Sequence, residues 1–426
     1  MGAVNGHQRA AIVLGLAMLI PACAFSEPPG PTTRPPGDGT SPPPPPDGGT
    51  GGNGGTNQPP SPRLDAAPTG SGGGGADTAV DRIADSTTGV DSSTPPPPPP
   101  GNGIESATVS GFQLLVRRRL PGGTTGAPEP FDVRGISWSP SERGAARPNG
   151  DSYVRAADRD LPLMREANIN VVKTYVPVGR AVLDKLLAHG MFAIVTVMNV
   201  SGDNFEATVN DLKDHPALLM WLVGNEWNLN RLYGSCELSA CFDRVNEVAR
   251  RIKALDPRHP VATSFAPSGE LPTDAELSRL EAVEVWGLNV YSQPGFFNRF
   301  TDWRLQAQRT GIRKPLLLTE YGADAFDNRT GRTDEASQAA ALRRQTTELR
   351  GQLSARNPAF PVLGGTPFEW NDEWWKRGSP AAQDPGGFPH DGVAADRFAN
   401  EEWWGVVDVD RRPRPAYQVL KELYAP

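Results

Sequence analysis

From about residue 130 to the C-terminus, short apolar runs alternate with helix-patterned segments through eight rounds, and that alternation limits the fold more than any other feature of the 426 residues. Runs such as INVVKTYV, MFAIVTVMN, LLMWLVGNE, PVATSFAP and KPLLLTEYG are nearly continuous in apolar side chains, as strands covered on both faces must be. Between them lie RDLPLMREAN, GRAVLDKLLAHG, CFDRVNEVARRIKALDP, NRFTDWRLQAQRTG and EASQAAALRRQTTELRGQL, whose apolar residues recur at helical spacing. PVLGGTPFEW supplies the eighth strand and RPAYQVLKELYA the closing helix. Crossover helices make the strands parallel, and the economical closure is a single (β/α)8 TIM barrel, an α/β fold. Ahead of it, GFQLLVRRRLPGG reads as a hairpin leading into a first barrel strand near 131–138. Its arginines, Arg117 to Arg119, read as a solvated or snorkelling face.

Composition separates the barrel, residues 105–426, from what precedes it. Residues 24–104 are mostly Pro, Gly, Ser, Thr and Asp, with PPPPPP and GGGG runs. Such a segment buries too little surface to offset chain entropy and is expected to be a disordered linker. Residues 1–23 carry Arg9, the short apolar run AAIVLGLAMLI and the sequence IPAC, the pattern of a secretory signal peptide. IPAC also resembles a bacterial lipobox, which makes Cys23 the lipidated first residue of the mature chain; simple cleavage and a retained anchor are the alternatives. The expectation is an exported monomer, facing the periplasm or cell exterior, that touches the membrane only through that lipid. Cys236 and Cys241, five residues apart, can pair in an oxidising compartment or be unrelated small residues. The net charge is −7, but residues 24–104 hold eight acids against three bases, so the barrel is close to neutral. It has no electrostatic footprint for nucleic acid. The five His lack ligand spacing and no phosphate loop or dinucleotide fingerprint occurs, so neither metal nor cofactor is expected.

Chemistry in such barrels sits at the C-terminal ends of the strands. The polar ends are Lys173, Asn199, Asn225–Glu226, Asn289–Tyr291, Glu320 and Glu369–Trp370. Glu226 and Glu320 each follow an apolar run, on the fourth and seventh strands, which places them on facing walls of one mouth. Paired carboxylates suit cleavage of a glycosidic bond, where one must be protonated and the other ionised. Trp138, Trp227, Tyr291, Trp370, Trp374 and Trp375, at or beyond strand ends, are candidates to stack on sugar faces. An Asn-Glu after an apolar run is common on its own, and a Glu in TEYG can simply cap the next helix. Their joint placement on strands four and seven is what carries the catalytic reading. Glu369, Asp372 and Glu373 form a second acidic group that reads as subsite or loop. Trp403 and Trp404 are either a rim platform or packing for the last helix.

WLVGNEWN and LLLTEYGAD resemble the acid/base and nucleophile motifs of the clan A glycoside hydrolases. HPALLMWLVGNE and TEYGAD are similar to the family 2 catalytic domain, while NVVKTY with LDKLLAHGMFAIVTVMN resembles the family 72 β-1,3-glucanosyltransferases. The resemblance spans about residues 130–425. It implies a retaining β-glycosidase or transglycosylase acting on β-linked poly- or oligosaccharide, with Glu226 as acid/base and Glu320 as nucleophile. By the same resemblance Asn225 binds the sugar 2-hydroxyl, Tyr291 orients the nucleophile and Trp370 forms the aromatic floor of the subsite. Lys173 stands where the family carries Arg; it keeps the charge and loses the bidentate fork. Trp138 and Asn199 complete the expected substrate-binding set. Two other readings stay open, a carbohydrate-binding barrel without turnover and a surface adhesin whose long linker is the working part.

Overall fold

The structure, a computed structural model, describes residues 103–199, 203–266, 271–292, 295–390, 392 and 396–426. The expected signal segment with Cys23, and the linker up to residue 102, lie outside the described residues.

A hairpin opens the described chain. β1 (Ile104–Ser110) and β2 (Gln113–Arg118) pair antiparallel, and β3 (Glu129–Pro130) pairs with β2. Its apolar side, with Ile104, Ala107, Leu114 and Val116, packs with Phe131 against the side chains that fill the barrel interior. The backbone N–H groups of Ile104 and Ala107 donate to the carbonyls of Pro216 (2.7 Å) and Arg258 (2.9 Å). Those two residues precede barrel strands, so the hairpin covers the N-terminal end of the barrel, opposite the mouth. Its arginines divide the work: Arg117 is exposed, Arg118 lies over the Phe192 ring at 4.9 Å, and Arg119 pairs with Glu105 at 2.6 Å.

The barrel strands are β4 (Val133–Ser137), β5 (Val171–Lys173), β6 (Phe192–Val197), β7 (Leu218–Val223), β8 (Val261–Phe265), β9 (Val285–Asn289), β10 (Leu316–Glu320) and β13 (Val362–Gly365). They close in the order β10-β13-β4-β5-β6-β7-β8-β9, all parallel. The small ribbons β11 (Phe326–Asp327) with β12 (Arg332–Thr333), and β14 (Gly387–Pro389) with β15 (Phe398–Asn400), ride on the loops after β10 and β13.

Alternation along each strand sorts its side chains into two cores. Val133, Val171, Ile194, Leu222, Ala262, Val285, Leu317 and Leu363 fill the barrel. Ile136, Val172, Val195, Trp221, Trp286 and Leu318 pack instead against the surrounding helices. These helices are α1 (Gly150–Glu166), α2 (Arg180–Ala188), α3 (Phe205–Leu212), α4 (Trp227–Gly234), α5 (Leu238–Leu255), α6 (Asp274–Arg279), α7 (Arg299–Thr310), α8 (Glu335–Arg350) and α9 (Pro415–Leu423). Sequence periodicity gives eight; the addition is α4, a short turn directly after Glu226. Its residues Arg231, Leu232 and Tyr233 have left-handed φ of 56°, 49° and 59°, and a disulfide between Cys236 and Cys241 (Cα–Cα 5.5 Å) ties this turn to the start of α5.

Candidate active site

Two local devices aim the carboxylates. Beyond β7, Gly224 (φ 68°) and Glu226 (φ 51°) both take the left-handed conformation, and the Glu226 N–H donates to the Ser264 carbonyl at 3.0 Å. That reverses the chain and turns Glu226 toward the barrel axis. In β10 the register against β9 slips between Leu318 and Glu320, so that Glu320 pairs with Asn289. Such an irregularity re-aims a side chain that strict alternation would send to the other face.

The mouth floor is a polar layer built from inward positions of five strands. Tyr291 Oη donates to Glu320 Oε2 at 2.7 Å, and Tyr175 Oη donates to Oε1 at 2.8 Å. Lys173 Nζ reaches Glu320 Oε1 (2.8 Å), Asn225 Oδ1 (3.1 Å) and the Thr319 carbonyl (3.2 Å). Asn289 Nδ2 donates to Glu226 Oε1 at 3.0 Å, and Asn289 Oδ1 accepts from Thr319 Oγ1 (2.7 Å) and Ser264 Oγ (2.8 Å). Lys173, Asn225 and Asn289 thus link the two carboxylates through one network. Asn225 Oδ1 is occupied inside that network, while its Nδ2 has no acceptor among the described residues.

The two glutamates are electrostatically unlike. Burial pushes Glu226 up, the neighbouring Glu320 charge pushes it further, and together they outweigh the Asn289 hydrogen bond and the Lys173 charge; its pKa is raised to about 7. Burial pushes Glu320 up as well, but the Lys173 charge and the hydrogen bonds from Lys173, Tyr291 and Tyr175 win, holding it below the ordinary glutamate value. Tyr175 and Tyr291 are driven well above theirs by burial and by the Glu320 charge, so both keep the proton they donate. Below about pH 7 the site therefore holds one carboxylate and one carboxyl group poised to give up its proton.

Of the residues singled out in the sequence, Glu226, Glu320, Asn225, Tyr291 and Lys173 converge here. Asn199 stands one layer back: its Nδ2 donates to the Tyr175 carbonyl (2.7 Å) and its Oδ1 accepts from Tyr233 Oη (3.0 Å). Three expectations are corrected. Trp138 is wholly buried on the helix side, donating to Asp160 Oδ2 at 2.9 Å and packed edge-on against Tyr153. Ser137 takes the inward position of β4, so the next residue must point out. Trp370 is also wholly buried, against Tyr417 of α9, and is no subsite floor. Trp227 likewise lies in the core, donating to Thr263 Oγ1 at 2.7 Å. The aromatic wall near Glu320 is made by Phe368 and Trp404, which meet each other and Tyr291 at centroid distances of 5.1–6.4 Å. Trp403 packs on Phe326 instead.

The second acidic group also divides. Asp372 is clamped by Arg414 through two 2.7 Å contacts and is structural. Glu373 holds the Lys376 ammonium, which lies over Phe368. Glu369 is wholly buried, and burial beside Glu373 drives its pKa well above the usual range. Tyr175 is the main residue that sequence reading passed over. Its signal was present, since it lies two positions beyond Lys173 in VVKTYV and so shares the inward parity.

Residues 195–346 match the family model for the glycosyl hydrolases family 2 TIM barrel domain, a span that holds Asn225, Glu226, Asn289, Tyr291 and Glu320. Among solved structures, the chain is similar to a β-galacturonidase of Eisenbergiella tayi bound to galacturonate (20% identity, TM-score 0.50, covering 75% of this chain and 53% of that one). A β-D-glucuronidase of Dictyoglomus thermophilum matches at 19% identity and TM-score 0.48, over 75% of this chain and 54% of that one. The Faecalibacterium prausnitzii β-glucuronidase matches at 18% and 0.47, over 75% and 51%. The chain spans about half the length of these structures. No curated protein matches it. The matched segment and the shared barrel together make this chain similar to the clan A glycoside hydrolases, and to family 2 in particular.

Proposed function

We propose that the protein is a retaining β-glycoside hydrolase or transglycosylase, with Glu226 as acid/base and Glu320 as nucleophile. The observation that carries this is the opposite displacement of the two carboxyl pKa values within one hydrogen-bonded network. In the first step a Glu320 oxygen bonds to the anomeric carbon while the glycosidic C–O bond breaks, and Glu226 gives its proton to the departing oxygen. Oε2, which among the described residues accepts only from Tyr291, keeps a lone pair for that attack. Esterified Glu320 no longer carries charge. The repulsion that raised Glu226 is then gone, so its pKa falls and it can act as the base that takes a proton from the incoming water or sugar hydroxyl. Asn225 Nδ2 is the donor available to the sugar 2-hydroxyl. Tyr175 adds a second hydroxyl donor on Glu320, and Lys173 supplies the positive charge that keeps the nucleophile ionised.

Intact placement of these groups favours turnover over a binding-only barrel. We further propose that the chain is exported, with Cys23 lipidated and residues 24–104 serving as a spacer; the Cys236–Cys241 bond is in keeping with an oxidising compartment. Azide rescue tests the catalytic assignment. With an activated aryl glycoside, Glu226→Ala is expected to accumulate glycosyl-enzyme, and azide should restore turnover and give the β-glycosyl azide. An α-glycosyl azide, or no rescue, would contradict it.

A further inference from the structure

Lys376 occupies an unusual place against the aromatic wall of the mouth. Its ammonium lies 4.6 Å over the ring of Phe368, whose edges meet Tyr175 and Tyr291, the two donors to Glu320. The nitrogen is 2.9 Å from Glu373 Oε2 and 3.3 Å from Glu401 Oε2. Glu373 is buried and fixed, since its Oε1 accepts from Ser139 Oγ (2.5 Å) and Trp375 Nε1 (3.2 Å). Glu401 differs. Its carboxylate meets only Lys376 among the described residues, and the two side chains keep 21% and 19% exposure, on the open side of the pair. One ammonium therefore serves two carboxylates and presents one of them outward.

We infer that Lys376 and Glu401 read the charge of the sugar bound next to Glu320, selecting a neutral β-hexoside over a uronide. A hydroxyl group suits the pair, because it donates to Glu401 and accepts from Lys376. A carboxylate on the sugar offers acceptors only. It would compete for an ammonium already shared by two anions and would face Glu401 directly, an arrangement that selects by repulsion as well as attraction. The solved structures of similar fold include a β-galacturonidase bound to galacturonate, so the selectivity inferred here is a departure from it and not a transfer.

This selectivity rests on the glycosidase chemistry proposed above, and the test separates the two. The full chain is assayed on 4-nitrophenyl β-D-glucoside, galactoside and mannoside, and on the matching glucuronide and galacturonide. The wild type is expected to favour a neutral glycoside in kcat/KM by roughly 100-fold, the scale set by one charge-assisted hydrogen bond and one like-charge repulsion. Glu401→Gln should raise the uronide-to-neutral ratio about tenfold or more, through KM, and Lys376→Gln should lower kcat/KM on the neutral substrate by a similar factor. A wild type that prefers a uronide overturns the inference whether or not the variants fold. A folded Glu401→Gln with an unchanged ratio overturns it as well, while leaving the glycosidase chemistry intact. No turnover and no covalent labelling with any substrate would instead reject the glycosidase chemistry, and this inference with it.

Discussion

Lys173 touches Glu320, Asn225 and the Thr319 carbonyl at once, and it is the only cation within hydrogen-bonding distance of Glu320 among the described residues. Remove its charge and burial is opposed only by the hydrogen bonds from Tyr291 and Tyr175, so the Glu320 pKa must rise. The mechanism proposed above needs Glu320 ionised and Glu226 protonated. Its kcat/KM is therefore expected to fall above about pH 7, where Glu226 loses its proton, and at acid pH below the ordinary glutamate range, where Glu320 gains one. In Lys173→Met the acid limb should move up toward the basic limb, the plateau should narrow, and activity at its peak should drop by about 100-fold. A pH–rate profile of both proteins checks this; an acid limb that stays put would show that Lys173 does not set the nucleophile's charge. Residue identity at the mouth was legible wherever chemistry marked it, as at Glu226, Glu320 and Tyr291. Orientation was not. Trp138 and Trp370 looked like mouth aromatics because they end strands, and only the parity inherited from Ser137, or contact with Tyr417, sends them into the core.

At the level of elements, the barrel strands were readable because burial on both faces demands continuous apolar runs. The devices that aim the glutamates were not. Left-handed φ at Glu226 and the register slip in β10 leave no periodic trace in the sequence. Gly287 in β9 shows how tightly this end is built, since an added Cβ there would stand 2.0 Å from the Thr263 carbonyl oxygen and 2.7 Å from Thr319 Cγ2. Gly287→Ala is expected to cost about 3 kcal/mol or more, read from denaturant unfolding; a loss below about 1 kcal/mol would mean the strands can part there. The Cys236–Cys241 bond closes a short loop behind Tyr233, which itself donates to Asn199 at the cleft edge. Paired Cys→Ser substitution should remove about 2 kcal/mol of stability, the chain-entropy value for a loop this short. It should also raise KM for substrates with long leaving groups more than it changes kcat for small aryl glycosides. Equal effects on both substrate types would assign the bond a purely structural role.

Over the whole molecule, the hairpin covers the N-terminal end of the barrel and leaves the mouth as the working face. Every member of the described polar network lies between Lys173 and Glu320, and a chain beginning at Gly103 is expected to keep kcat/KM on soluble glycosides within about twofold, a change of less than about half a kcal/mol. A large loss would give residues 24–102 a part in catalysis. The most direct test of the proposed chemistry is covalent trapping by an activated 2-fluoro β-glycoside, followed by peptide mass spectrometry. Label on Glu320 alone is expected, with Glu320→Ala inert and Glu226→Gln still labelled by a reagent whose leaving group needs no proton. Label on Glu369 or Asp372, or a product of inverted anomeric configuration with no label at all, would contradict it.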